Sequence, residues 1–258
     1  MPGPSRIADA SHRSVPRSLF LPDLTSQELR AAVAAGFTTA LVYSGGTEGS
    51  GPHLALGKHN FRAPYYAERI ARELGRTLIG QIVAFGVSNE ALGGYPGTIA
   101  VRSETFAALH EDVIRSLARA GFTRIVLITE HGPNVAVLQA LAPRLDAELA
   151  PRGTRVVFSS DNYTKSMAEI EAWGRASGHF AGGHGGLLDT SELWLVDSSK
   201  VRPHLIALGD TSATSPADPA QQVAGDPRRA SVALGRQFAD IRVRNGVAEI
   251  RRLLDALR

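Results

Sequence analysis

The amino-acid sequence predicts an α/β protein with a single domain, in which helices flank a mostly parallel central sheet. Short apolar stretches alternate along the chain with longer stretches whose apolar residues recur at helical spacing. The apolar stretches are nearly continuous, as in strands that are buried on both faces of a parallel sheet. With 258 residues, 43% hydrophobic and 21% charged, the chain is explained by one large core.

The strands and helices are predicted in order along the chain. Strands are predicted at four places: residues 38–43, 77–85, 123–129 and 154–159. Helices are predicted at six places: residues 26–36, 61–74, 103–121, 135–149, 167–176 and 227–258. A capping box at residues 25–28 starts the first helix. Ser103 caps the third helix, and Asp226–Pro227 starts the last one with an N-cap and a proline at the first helical position.

Composition and charge restrict the class of protein. The net charge is +3, but arginine supplies most of the positive charge and no basic run with interleaved aromatic residues occurs, so we expect no nucleic-acid partner. The chain has no cysteine, so any metal must be bound by histidine and carboxylate side chains. No stretch approaches the roughly 20 apolar residues of a membrane span, so we expect no membrane association.

The N-terminal residues are predicted to lie outside the domain. Residues 1–20 are polar and proline-rich without an apolar segment, so they are expected to form a tail or arm and not a signal peptide. The domain is predicted to span residues 21–258. The expected location is the cytoplasm.

A glycine-rich loop at residues 45–60 follows the first predicted strand. It contains one carboxylate and two imidazoles, those of Glu48, His53 and His59. The ends of strands are where α/β proteins place their ligands. The composition therefore suits a metal site, although the spacing matches no known zinc signature. A polar loop whose histidines only form hydrogen bonds is the alternative.

Three later strand ends carry further candidate residues. Residues 86–99 form a long glycine-rich loop that contains Tyr95, and loops of this length in compact domains are usually functional. His131 follows the third strand. Tyr163 follows the fourth, where a phenol could line a substrate pocket. For each of these residues the alternative is an ordinary connection or a residue on the surface.

The loop at residues 45–60 resembles the signature of the creatininase (creatinine amidohydrolase) family, E-Q-H-G-P-H-x-x-L-G-T-D. In that family the Glu, the first His and the final Asp bind the metals. Six residues of this chain agree with the signature: Glu48, Gly51, Pro52, His53, Leu56 and Gly57. Four positions depart from it: Gly49 replaces Gln, Ser50 replaces a ligand His, and Lys58–His59 replaces Thr-Asp.

Later segments resemble further motifs of the family, in the same order along the chain. Residues 130–134 resemble its N-G-H-x-E-N turn, which places His131 on a ligand histidine and Glu130 on the preceding glycine. The segment at Tyr95 resembles one that ends F-P-G-T and borders the active site. The resemblance covers residues 18–258.

The glycine-rich segment at residues 178–192 resembles the family motif H-A-G-x-x-E-T-S. This resemblance places His184 on the catalytic histidine and Asp189 on the acid. The aspartate is shorter than the family's glutamate by about one methylene. Phe180 precedes His184 by the spacing at which creatininase carries an aromatic cover over its substrate.

The resemblance implies a creatininase-like three-layer architecture and a metal-dependent amidohydrolase. Its substrate would be a small cyclic amide, lactam or formamide, whose carbon–nitrogen bond is hydrolysed by a metal-activated water. The metal ligands expected from it are Glu48, His59, His131 and Asp189. The catalytic residues expected are His184 and Glu130. The substrate-binding residues expected are Ser50, Tyr95, Tyr163 and Phe180.

The departures from the signature predict one divalent metal ion per chain. In the family a carboxylate bridges two ions, and His59 stands in its place here. Ser50 stands in the place of the histidine that would hold the second ion. Zinc is expected first, then manganese or iron, because these metals suit a set of histidine and carboxylate ligands.

Two further expectations concern assembly and an alternative function. Family members form ring-like homo-oligomers, often hexamers, so we expect a homo-oligomer that takes a small-molecule substrate. The alternative to an enzyme is a degenerate member of the family. Such a protein would keep the fold with a structural metal and would act as a binding or assembly module.

Overall fold

A parallel sheet lies at the centre of the computed structural model, which describes residues 16–88, 94–179, 183–211 and 222–257. Its four strands are β1 (Thr39–Ser44), β2 (Thr77–Val83), β3 (Arg124–Thr129) and β4 (Arg155–Ser159). They are arranged in the order β2-β1-β3-β4, and all neighbours are parallel. The predicted single-domain α/β fold with a parallel central sheet is confirmed.

Helices cover both faces of the sheet. The described residues contain seven α-helices: α1 (Ser26–Ala34), α2 (Lys58–Leu74), α3 (Ser103–Arg119), α4 (Asn134–Leu149), α5 (Thr164–Ala176), α6 (Leu187–Val196) and α7 (Val232–Asp255). Successive side chains of β1 point to opposite faces. Ala40 and Val42 join a core with residues of α3 and α4, whereas Leu41 and Tyr43 join a second core with residues of α2 and α7. All four are fully buried, which explains the continuous apolar strands.

Several helix starts differ from the sequence prediction, and α5 begins at Thr164 and not near residue 167. Helix α2 begins at Lys58 and not near residue 61, so the first turn includes Lys58 and His59. Helix α3 has Arg102 as its N-cap, and Ser103 is its first residue. Asp226 caps only a short 3-10 turn, and α7 begins after Ser231, whose hydroxyl accepts a hydrogen bond from the backbone N–H of Leu234.

Helix α6 was not predicted from the sequence. Its first seven residues, Leu187–Leu193, are all buried, and they include both leucines and acidic residues. A helix that is buried all round has no polar face and therefore lacks the amphipathic period by which helices are found in a sequence. Asp189 consequently lies in the first turn of a helix and not in a loop.

The end of the predicted tail is packed against the sheet. The backbone N–H of Ile79 donates to the carbonyl of Leu19 at 2.7 Å, and Phe20 forms a parallel bridge to Ile79. The boundary between tail and domain stays a prediction. Among the described residues, the helices are too short or too polar to cross a membrane.

Candidate metal centre

Three side chains that the sequence predicted as metal ligands meet at the carboxyl edge of the sheet. Glu48 follows β1, His131 follows the neighbouring strand β3, and His59 lies in the first turn of α2. All three are buried, and their ligand atoms lie within 4.8 Å of one another. His59 Nε2 is 2.7 Å from Glu48 Oε1 and 3.3 Å from His131 Nδ1. His131 Nδ1 is 3.7 Å from Glu48 Oε2.

Hydrogen bonds fix which ring nitrogen of each histidine faces the centre. His131 Nε2 donates to the backbone carbonyl of Val87 at 2.9 Å, which leaves Nδ1 without a proton. Burial, and then the neighbouring His59, lower the pKa of His131 to about 4, so its ring is neutral at physiological pH. His59 Nδ1 is 3.0 Å from Glu130 Oε1. Its Nε2 faces the second carboxylate, that of Glu48, and Arg62 Nη2, which can only donate, lies 3.2 Å from Nδ1. A metal ion at Nε2 would require that nitrogen to be without a proton.

Three potential ligand atoms therefore lie close together, and a bound cation would stabilise this arrangement. Glu48 Oε2 has no hydrogen-bond partner among the described residues, and an unpartnered buried acceptor costs about 1–3 kcal/mol. Two neutral imidazoles and one carboxylate form the ligand set of catalytic zinc sites that keep an open position. The residues fit a divalent transition metal.

Asn134 holds the loops around this centre together. Its Nδ2 donates to the carbonyl of Gly45 at 2.9 Å, and its Oδ1 accepts from the backbone N–H of Val87 at 3.0 Å. One side chain at the start of α4 thus ties the segment after β1 to the segment after β2. A Cβ on Gly86 would lie only 3.0 Å from the ring of His131, so glycine is needed for this close approach.

Glu130 contacts the ring nitrogen of His59 that does not face Glu48. Its side chain is fully buried, and Arg62 Nε lies 3.2 Å from its second oxygen. A carboxylate behind a ligand histidine orients the ring and raises its basicity as a ligand. Glu130 thus lies behind His59, on the side of the ring away from Glu48.

Asp189 was expected to be a ligand, but it lies outside the group of three. Its Oδ1 accepts from Arg62 Nη1 at 2.9 Å, and its Oδ2 accepts from the backbone N–H of Gly185 at 3.0 Å. Burial opposes its ionisation, but Lys58 and Arg62 hold the pKa of Asp189 well below its usual value. Both oxygens are therefore engaged by groups of this chain. His53 also lies outside the group and contacts Thr190 Oγ1 at 2.9 Å.

His184 lies beside the group, with one ring nitrogen anchored. Its Nε2 is 2.6 Å from the carbonyl of Gly49, to which it donates, and its Nδ1 is 3.5 Å from Glu48 Oε1. Burial, and then Lys58, lower the pKa of His184 to about 4. The flanking Gly183 and Gly185 have φ angles of 99° and 66°, which side chains rarely adopt. The glycines of this segment therefore allow the turn that brings the ring to the centre.

A cavity of about 330 Å³ opens at this centre, and it is lined by His59, His131, His184 and Tyr163 among others. Of the residues predicted to bind substrate, Tyr163 is therefore at the cavity wall. Tyr95 packs against the ring of His184, with 5.4 Å between the ring centroids. Phe180 lies outside the described residues.

Comparison with known proteins identifies the family. Residues 22–250 match the creatininase family, which is described as creatinine amidohydrolase. The chain belongs to the creatininase family. This confirms the resemblance seen in the sequence.

Relatives and solved structures agree with this assignment. Creatinine amidohydrolase of Pseudomonas putida is 28% identical over 220 residues, which cover 80% of this chain and 84% of that protein. A 3-dehydro-scyllo-inosose hydrolase of Thermotoga maritima is 25% identical over 122 residues, which cover 47% of this chain and 39% of that protein. A crystal structure of creatininase matches with a TM-score of 0.78 at 22% identity, covering 92% of this chain and 98% of the other. A manganese form of creatininase matches over the same shares with a TM-score of 0.76 at 22% identity.

Two departures from the creatininase signature meet inside the site. Lys58 is fully buried, and its Nζ lies 2.7 Å from Ser50 Oγ and 2.5 Å from Glu48 Oε1. No role for Lys58 was predicted from the sequence. The signal that could have indicated one is that a lysine replaces the family's threonine directly before the predicted ligand His59. Ser50, expected to bind substrate, is buried between Lys58 and His184, and its Oγ is 3.2 Å from His184 Nε2.

Proposed function

We propose that this chain is a metal-dependent amidohydrolase that hydrolyses a carbon–nitrogen bond in a small cyclic amide, lactam or formamide. The observation that carries the proposal is the convergence of ligand atoms of Glu48, His59 and His131 beside a cavity. Membership of the creatininase family supports the reaction class. A mutant creatininase has been solved in complex with creatine, which supports a small substrate.

Glu48, His59 and His131 would hold one divalent metal ion, with zinc preferred. Related creatininase structures include a manganese form and a form with two zinc ions, so the metal type also has support from relatives. When bound, such an ion lowers the pKa of a coordinated water to about 7 and polarises a carbonyl group. Three protein ligands leave room for that chemistry.

The other residues of the site position groups and move a proton. With a metal ion at His59 Nε2, Glu130 would accept a hydrogen bond from the proton on Nδ1, which lies 3.0 Å away. His184 donates from Nε2 to Gly49, which keeps its neutral Nδ1 turned towards the group. That nitrogen can accept a proton from the attacking water and pass it to the leaving nitrogen. Tyr163 forms a wall of the cavity, against which a small flat substrate would pack.

Removing the metal is expected to abolish turnover, and adding zinc or manganese is expected to restore it. The reason is that His184 can move a proton but cannot by itself activate water and polarise a carbonyl. The measurement is hydrolysis of creatinine, small lactams and formamides by protein dialysed against a chelator, with metal content followed by elemental analysis. Full turnover by metal-free protein would contradict the proposal.

A second candidate function is a binding or assembly protein that keeps a structural metal. The contact of 2.5 Å between Lys58 and Glu48 favours it, because the ammonium already neutralises one carboxylate of the site. A protein that retains its ion but hydrolyses no compound of the panel would support this candidate over the first.

Changing Glu130 to glutamine is expected to lower metal affinity about 10–100-fold, the usual effect of losing a carboxylate behind a ligand histidine. Metal affinity is measured by competition with a chromophoric chelator. Glu104→Gln, on the exposed first turn of α3, is the control and should change nothing. If Glu130 is catalytic instead, Glu130→Gln will keep its metal affinity and lose turnover at saturating metal.

A further inference from the structure

Lys58 is fully buried at the start of α2, and its ammonium group lies among oxygen atoms of the protein. Lysine is almost never fully buried unless it is paired. Its Nζ is 2.5 Å from Glu48 Oε1, 2.7 Å from Ser50 Oγ and 3.4 Å from Asp189 Oδ2. An ammonium group has three N–H donors and no acceptor. Two of these oxygens accept hydrogen bonds from the ammonium, and the third, on Asp189, lies at ion-pair distance.

Two carboxylate oxygens and a hydroxyl oxygen around one positive charge resemble the surroundings of a bound cation. One of them, Glu48 Oε1, is shared with the ligand group, since it also lies 2.7 Å from His59 Nε2. Another belongs to Ser50, which stands where the creatininase signature has a histidine ligand for a metal. The ammonium thus lies directly beside the group of three.

We propose that the Lys58 ammonium replaces a second cation in this site and limits the site to one metal ion. The proposal rests on the proposed function, since it assumes that the first ion binds at Glu48, His59 and His131. It explains how a family site for two ions can lose a bridging carboxylate and a histidine ligand without leaving carboxylates unpaired. The positive charge of the absent second ion is supplied by the Lys58 ammonium.

The position of Lys58 in its helix supports this role. A cation in the first turn of a helix is unfavourable, because that end of the helix carries partial positive charge. The local structure therefore does not favour a lysine here, and its surroundings must compensate. Arg62, one turn later, already pairs with Asp189 Oδ1 at 2.9 Å. Lys58 thus supplies the positive charge beside the two carboxylate oxygens nearest the proposed metal site, Glu48 Oε1 and Asp189 Oδ2.

The test is to remove the ammonium and to restore the ligand that the signature contains. Lys58→Ala empties the position and leaves two carboxylates beside it. The double variant Ser50→His, Lys58→Ala adds an imidazole in the space that the lysine side chain vacates. Ser50→His alone keeps the ammonium, and Lys165→Ala removes an exposed lysine on α5. Zinc and manganese contents per chain are measured by elemental analysis after equilibrium dialysis at matched free metal.

The expected result is a gain of one ion per chain, relative to the unchanged protein, in the double variant. Lys58→Ala should gain the same ion at higher free metal. The two controls should gain none. Folded variants with no additional ion would overturn the proposal. An unchanged protein that binds no ion would contradict the proposed function, whereas one ion in the unchanged protein with no gain in the folded double variant would overturn only the role of Lys58.

A second measurement does not depend on how the variants fold. Crystals of the unchanged protein soaked in manganese should show one anomalous peak among Glu48, His59 and His131. Lys58 Nζ should remain within hydrogen-bond distance of Glu48 and Asp189. A second peak between those two carboxylates, with the lysine displaced, would overturn the proposal.

Discussion

Replacing Glu48 or His131 with alanine is expected to remove the metal and abolish turnover. Each change deletes one of three converging ligands, and two remaining ligands are too few for a tight site of this kind. Both residues lie in loops beyond the ends of β1 and β3, so the sheet should form without them. Metal content by elemental analysis and hydrolysis of the substrate panel are the measurements. Full metal content in both variants would contradict the assignment.

The two variants are expected to differ in stability. Glu48→Ala also takes away the closest partner of the buried Lys58, and breaking a buried ion pair from one side costs about 3–5 kcal/mol. His131 has no such partner, since its second nitrogen only donates to a backbone carbonyl. Thermal melting should therefore show a larger loss for Glu48→Ala. Glu48→Gln keeps an oxygen for Lys58 and serves as the control, with metal lost and most of the stability retained.

The sheet, and the meeting of Glu48 and His131 at one edge of it, could be predicted because they depend on short-range patterns. A strand buried on both faces is a nearly continuous apolar run, so each of the four strands was found within two residues of its position. Strands β1 and β3 are neighbours in the sheet. The residues after them, Glu48 and His131, therefore meet at one edge by a general property of parallel sheets.

The pairing of the buried charges could not be predicted in the same way. Asp189 approaches α2 only because α6 is a buried helix, and a helix without a polar face gives no amphipathic signal. Its partners, Lys58 and Arg62, lie one turn apart on α2. That they face Asp189 follows from the packing of α2 against α6, which the sequence does not show. Because of this packing, Asp189 pairs with Lys58 and Arg62 and lies outside the ligand group.

Replacing His184 with alanine is expected to keep the metal and to lower turnover by about 10²–10⁴-fold, the usual contribution of general acid–base catalysis. His184 is not one of the three converging ligands, so its loss leaves that group complete. It is close enough to act on the same reaction, with Nδ1 at 3.5 Å from Glu48 Oε1. Metal content and turnover at saturating metal are measured on the same protein sample. His204→Ala, which changes an exposed histidine, should alter neither.

The dependence of turnover on pH can also be predicted for His184, whose ring is held by a hydrogen bond to Gly49. Because burial lowers the pKa of His184 to about 4, Nδ1 is free to accept a proton at neutral pH, and protonation of the ring below that pKa removes the base. Turnover that depends on His184 should therefore fall as the pH drops towards 4, and the residual turnover of His184→Ala should lack that dependence if the metal stays bound. Loss of the metal together with the side chain would make His184 a ligand. Unchanged turnover would show that another group moves the proton.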